Sequence, residues 1–230
     1  MLEAHEQQGN GMADGEQKPA EKPGAQSPEK QLRHLTNAEL AMLPRVTDPE
    51  LVAPFDKMVI AADISPKPVF VEYFTGFFPQ ASAGITVEGV SYVLLLSPAG
   101  NRQDKEEVLG LIAHELGHIK HKHFVRLPDL EQRKLETQAD DVAMDLCMGR
   151  NFAASIIPTY HLTILAARES PLSFEEYALA HAKGHLPIDK RLEYLRDGVL
   201  AREASGQCPS PDGPSPTPNC KPDTGQGCKR

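Results

Sequence analysis

Apolar residues follow two rhythms along this chain: short β-branched or alternating runs in the first half, and helix-spaced stripes in the second. Thr36 to Leu43 predicts a short capped helix ended by Pro44, and Val59 to Ala62 forms a short apolar segment. Three strand candidates follow. Val69 to Phe74 is β-branched and aromatic, Gly84 to Glu88 alternates, and Ser91 to Leu96 is a more continuous apolar run closed by Ser97, Pro98 and Gly100. Glu88-Gly89 predicts a hairpin corner between the last two. Val108, Leu111, Ile112, Leu116 and Ile119 then recur at helical spacing. Asp104, Glu106 and Glu107 crowd the first turn of that helix, and Lys120, Lys122 and His123 its last, as the helix dipole prefers. A second helix is predicted from Pro128-Asp129 to Gly149, with Leu135, Ala139, Val142, Ala143 and Leu146 on one stripe. A third spans Asn151 to Arg168 with an interruption near Pro158, and a fourth spans Ser173 to Ala182. A fifth opens at Pro187 and carries Ile188, Leu192, Leu195 and Val199.

The ends of the chain break this pattern. Residues 1–31 are polar and rich in Glu, Gln, Gly, Lys and Pro, which predicts disorder because little apolar surface is there to offset ordering entropy. From residue 204 onward a Pro/Gly/Ser-rich composition returns. One folded domain is therefore expected over 32–203. A length of 230 residues, 40% hydrophobic content and a formal net charge of −8 suit that size. The acidic balance argues against nucleic acid or an anionic membrane as partner. No apolar run approaches the roughly 18 residues of a transmembrane helix. Met1 to Gln8 lacks the basic start and apolar run of a signal peptide, so a cytoplasmic location is favoured, with an exported form kept open. Cys147 reads as a small buried apolar residue on a helix. Cys208, Cys220 and Cys228 lie in the tail. Their odd number leaves one over from any tail disulfide, and no Cys-x-x-Cys pair suggests a metal.

The chemistry concentrates in His114-Glu115-Leu116-Gly117-His118. Four residues of helix return the chain to nearly the same face, so His114 and His118 can present two imidazoles to one metal ion. From its place Glu115 can reach a metal-bound water as general base. Gly117 is costly inside a helix and makes sense where something approaches the backbone closely. The bland reading is a surface helix with incidental histidines. A catalytic zinc needs a third protein ligand. The position ten residues after His114 is Phe124, so the metzincin pattern fails, and neither His121 nor His123 lies on the His114/His118 face. Glu136 and Asp140 share a face of the next helix. There Glu136 could ligate and Asp140 could hold the other ring N–H of a ligand histidine. Glu131, Asp141 and Asp145 also leave open a solvated acidic face.

His114-Glu-Leu-Gly-His118 followed by Glu136-x-x-Ala139-Asp140 resembles the gluzincin metallopeptidases of the CAAX prenyl protease and HtpX-like family. The resemblance implies Glu136 as third ligand and matches Ala139-Asp140 to the family's Ala-Asp pair, with Asp140 behind a ligand histidine. It also implies one Zn²⁺ per chain and a protein or peptide substrate. His185 and Leu186-Pro187, ahead of Arg191 and Leu195, are similar to the family's His-Pro segment, with Leu186 as a departure. His185 and Arg191 are accordingly candidate helpers of the reaction. The expected fold is α+β and mainly helical: a zincin-like domain with a small antiparallel sheet packed on the His-Glu-x-x-His helix. The expected function is zinc-dependent peptide hydrolysis with Glu115 as base. The alternative is a zincin-like module that binds or regulates without cleaving. His161 and His181 are expected to be structural or surface residues. Tyr177 and Tyr194 are possible oxyanion donors with core or surface roles favoured.

Overall fold

The computed structural model describes residues 35–73, 81–89, 91–97, 104–124, 127–182 and 184–210. The expected tail at 1–31, the part of the expected 204–230 tail beyond residue 210, Phe74, the closing turn at 98–100, Cys220 and Cys228 lie outside them. Helix α1 (Asn37–Met42) starts as expected. Thr36 Oγ1 accepts from the Glu39 N–H while the Glu39 carboxylate accepts from the Thr36 N–H, a reciprocal cap. Helix α2 (Pro49–Ala61) is longer than the apolar segment read from the sequence. Asp48 caps it, Pro49 sits where a missing N–H costs nothing, and Pro54 is carried inside it. Leu51, Phe55, Met58 and Val59 bury its inner face.

Strands β1 (Val69–Glu72), β2 (Ala81–Ile85) and β3 (Tyr92–Leu96) form one sheet in the order β1-β3-β2. The sheet is mixed, which corrects the antiparallel expectation: β2 runs antiparallel to β3, but β1 runs parallel to it. The hairpin corner is where the sequence put it. Thr86 and Ser91 close it through a 3.0 Å bond, and Gly89 takes φ +67°. β3 lies in the middle and is buried on both faces. Leu94 and Leu96 enter the main core, while Val93 and Leu95 join Leu40 and Val71 in a smaller one.

Helix α3 (Lys105–His121) runs through the main core, capped by Asp104 and burying Val108, Ile112, Leu116 and Ile119. It touches α2, β2 and two helices that follow it. These are α4 (Asp129–Asp145) and α5 (Gly149–Arg168). At Gly117 a Cβ would lie 2.6 Å from the Ala139 Cα of α4, and at Gly110 it would run into the α5 backbone at Phe152. Helix α4 stops earlier than predicted. Bonds from Cys147 N–H to the Met144 carbonyl and from Met148 N–H to the Ala143 carbonyl form a Schellman turn with Cys147 at φ +61°. Gly149 therefore opens α5 rather than closing α4. Helix α5 passes Pro158, an exposed residue, without the expected interruption. Helices α6 (Phe174–Ala180) and α7 (Ile188–Ala204) complete the described elements. Cys147 is not a buried thiol: its side chain is exposed and disulfide-bonded to Cys208, past the end of α7.

Candidate metal centre

The spacing within α3 does what the helix repeat requires. His114 Nε2 and His118 Nε2 lie 3.2 Å apart, with the rings edge to face. The close approach at Gly117 brings α4 alongside, and Glu136 Oε2 sits 3.4 Å from His114 Nε2 and 3.5 Å from His118 Nε2. All three residues are buried, and together they could hold a metal ion. A four-coordinate ion with bonds of about 2.0–2.1 Å demands ligand atoms about 3.3–3.4 Å from one another, the edge of a tetrahedron. The three donor atoms already have that spacing. Glu136 Oε2, although buried, makes no aligned hydrogen bond. The donor set therefore fits a divalent cation.

Neighbouring groups fix this triangle. Asp140 Oδ1 is 2.8 Å from His114 Nδ1, by a bent approach. Arg191 grips Asp140 through two bonds, Nε to Oδ2 at 2.9 Å and Nη2 to Oδ1 at 2.7 Å. The Arg191 Nη1 is also 3.0 Å from His185 Nδ1, which is 3.0 Å from Glu136 Oε2. Gln132 donates to Glu136 Oε1 at 2.9 Å. Phe152 stacks on the His114 ring with centroids 4.6 Å apart and lies beneath the Arg191 guanidinium. The Ala83 N–H of β2 donates to Glu115 Oε2 at 2.8 Å.

The protonation of the cluster follows from these contacts. Burial opposes charge on His114, but Asp140 and Glu136 outweigh it and raise the imidazole to about 9. Burial pushes the Glu115 carboxyl up against the pull of the two histidines. Burial also disfavours ionised Glu136 and Asp140, yet both end below the usual carboxylate range. Glu136 is held by His114, His118 and His185, and Asp140 mainly by Arg191. Burial also opposes the Arg191 charge, and Asp140 more than compensates.

The structure thus brings together His114, Glu115, His118, Glu136, Asp140, His185 and Arg191. His121 stays exposed at the helix end. His161 and His181 are exposed, and Tyr177 stacks on His181. The Tyr194 hydroxyl is bonded to Asp141 at 2.8 Å. Sequence reasoning missed Gln132 and Phe152, and it left His123 as a helix-end residue off the His114/His118 face. Only Gln132 carried a signal, four residues before Glu136 on the same helix face. His123 Nδ1 lies 3.2 Å from His118 Nδ1. Burial and the neighbouring His118 and His121 lower the His123 imidazole to about 4.

Residues 46–128 match the model of Peptidase family M48. The M48 match supports a metallopeptidase and takes in α2, the sheet and α3 with both histidines and Glu115. It ends before α4, so the placement of Glu136 and Asp140 rests on geometry. No curated protein and no solved structure matches the chain.

Proposed function

We propose that this chain is a zinc-dependent endopeptidase similar to the CAAX prenyl protease and HtpX-like metallopeptidases. The observation that carries the reading is the triangle of His114, His118 and Glu136 donor atoms at tetrahedral spacing. His114, His118 and Glu136 would hold the ion. Bound there, zinc would supply a Lewis acid to polarise a scissile carbonyl and acidify a water.

Glu115 is the base in this reading. Its Oε2 is tethered to the Ala83 N–H, which leaves Oε1 to take a proton from water and pass it to the departing amine. Asp140 keeps the His114 ring turned toward the ion, and Arg191 keeps Asp140 ionised and oriented. Because its fork is committed to Asp140, Arg191 acts as a positioning residue. His185, with its side chain 38% exposed next to Glu136, is the helper that can reach a developing oxyanion. Strand β2 pairs with β3 on one side only among the described residues, and its other edge faces Glu115. An extended peptide could add to that edge by backbone hydrogen bonding, which suits an endopeptidase.

No helix of the described residues is long and apolar enough to cross a membrane. The Cys147–Cys208 disulfide suits an oxidising compartment, so we favour an exported form over the cytoplasmic location expected from sequence. The deciding experiment is elemental analysis of wild type and Glu136→Ala, with casein cleavage by wild type and Glu115→Gln. One zinc per wild-type chain, its loss in Glu136→Ala, and a cleavage rate lowered about 10²–10⁴-fold in a zinc-loaded Glu115→Gln support the reading. Wild type without zinc, or full cleavage by Glu115→Gln, refutes it.

A further inference from the structure

Helix α3 ends in a Schellman turn made without glycine. Lys122 takes φ +59°, its N–H bonds to the Ile119 carbonyl at 3.1 Å, and the His123 N–H bonds to the His118 carbonyl at 2.9 Å. Such a turn folds the residue after the left-handed position back onto the residue five before it. Here these two residues are His123 and His118. Their Nδ1 atoms are 3.2 Å apart, and the His123 Nε2 is 3.1 Å from Gln138 Oε1 on α4.

Proton bookkeeping gives this chain one direction. If His118 presents the Nε2 lone pair to an ion, its Nδ1 carries the hydrogen and donates. His123 must then accept at Nδ1, so its own hydrogen sits on Nε2 and is donated to the Gln138 carbonyl oxygen. Every ring nitrogen has one role, and no donor faces a donor. His114 receives the same service from Asp140 on the other side of the site.

We propose that His123, oriented by Gln138, is the positioning residue of the second metal-binding imidazole. It fixes the tautomer and ring plane of His118 as Asp140 does for His114. The proposal rests on the metallopeptidase reading. It also makes the end of α3 and the middle of α4 part of the metal centre, since Gln138 lies two residues beyond Glu136.

The test uses the full chain as wild type, His123→Leu, His123→Asn and Gln138→Leu. Zinc affinity is read at one fixed pH by competition with a chromophoric chelator, and the ligand field by the visible band of the cobalt-loaded protein. His123→Leu should weaken zinc about 10–100-fold and alter the cobalt band. His123→Asn, whose amide oxygen takes the place of Nδ1 as acceptor, should restore most of both. Gln138→Leu should shift affinity the same way by less. Wild-type affinity and an unchanged band in His123→Leu overturn the proposal, as does a His123→Asn protein as impaired as the Leu variant. Should His123→Leu fail to fold, an unchanged Gln138→Leu overturns it alone. A wild type that binds neither zinc nor cobalt overturns the underlying metallopeptidase reading as well.

Discussion

Replacing Gly117 with alanine sets two known effects against each other. Alanine is favoured over glycine inside a helix by about 1 kcal/mol, so an isolated α3 would gain stability. In the folded protein the new methyl would lie 2.6 Å from Ala139 Cα and 2.8 Å from its carbonyl oxygen. Ordinary contact begins near 3.4 Å, so α4 must retreat by about 0.8 Å at that point. Backbone is on the receiving side, so no rotamer change can absorb the clash. Overpacking of this kind costs about 1–3 kcal/mol, which cancels or exceeds the helical gain. The retreat also carries Glu136 away from the two imidazoles it now meets at 3.4 and 3.5 Å. A displacement near 1 Å in a reacting constellation costs about 10²-fold in rate. The expected outcome is a metal-free melting temperature that is unchanged or lower, weaker zinc by chelator competition, and peptide cleavage down about 100-fold. A Gly117→Ala protein that melts higher, keeps wild-type zinc affinity and cleaves normally would show that the α3–α4 approach does not set the ligand triangle.

Arg191→Ala leaves Asp140 as a buried carboxylate without its bidentate partner, so thermal unfolding should show a loss of about 3–5 kcal/mol. Arg191→Lys restores charge but not the fork and should fall between the two. Cys147 and Cys208 close a loop of 61 residues in separation, so reduction or Cys208→Ser should lower stability by about 4 kcal/mol on the chain-entropy estimate. Denaturant midpoints with and without reductant check this, and coincident curves count against the bond. In metal-free protein His114 titrates near 9 instead of 6.5. Its contribution, on the order of 3 kcal/mol, is full below about pH 6.5 and gone above about pH 9. The melting temperature of chelator-treated wild type should therefore fall across that interval relative to His114→Gln; a flat difference refutes the assignment.

What could be read in the sequence was what local periodicity fixes. The α3 stripe, its acidic cap and the His114/His118 pair follow from a 3.6-residue repeat, and so does the shared face of Glu136 and Asp140. The hairpin at Gly89 was legible because a left-handed turn has a composition. Cys147 and Lys122 occupy left-handed positions too, but neither residue advertises one, so the early end of α4 and the return of His123 were invisible. The parallel pairing of β1 with β3 depends on a crossover that no local pattern encodes. The length of α2 was masked by Pro54, which reads as a breaker and is tolerated inside the helix. The Cys147–Cys208 bond joins two places that only the packing of α7 against α4 and α5 brings together. The glycine at 117 was the one local clue to tertiary structure: a costly residue in a helix implied a close neighbour, and Ala139 is that neighbour.

The charges at the site show why these parts belong to one device. Glu115, Glu136 and Asp140 are three carboxylates within one cluster, and among the described residues Arg191 is the permanent cation paired with them. Two negative charges remain uncompensated when both histidines are neutral, which is an expensive state in a water-poor interior. Metal-free protein can answer only by retaining protons. That explains why His114 and Glu115, whose pKa values burial alone would move in opposite directions, are both pushed toward their protonated forms. In the proposed metallopeptidase a divalent cation held by His114, His118 and Glu136 would replace those protons, bring the cluster to neutrality and leave Glu115 ionised as the proposed base. Ion binding and the readiness of the base would then be one event. In that count the charge of Arg191 offsets Asp140, through a two-bond fork that a lysine does not offer.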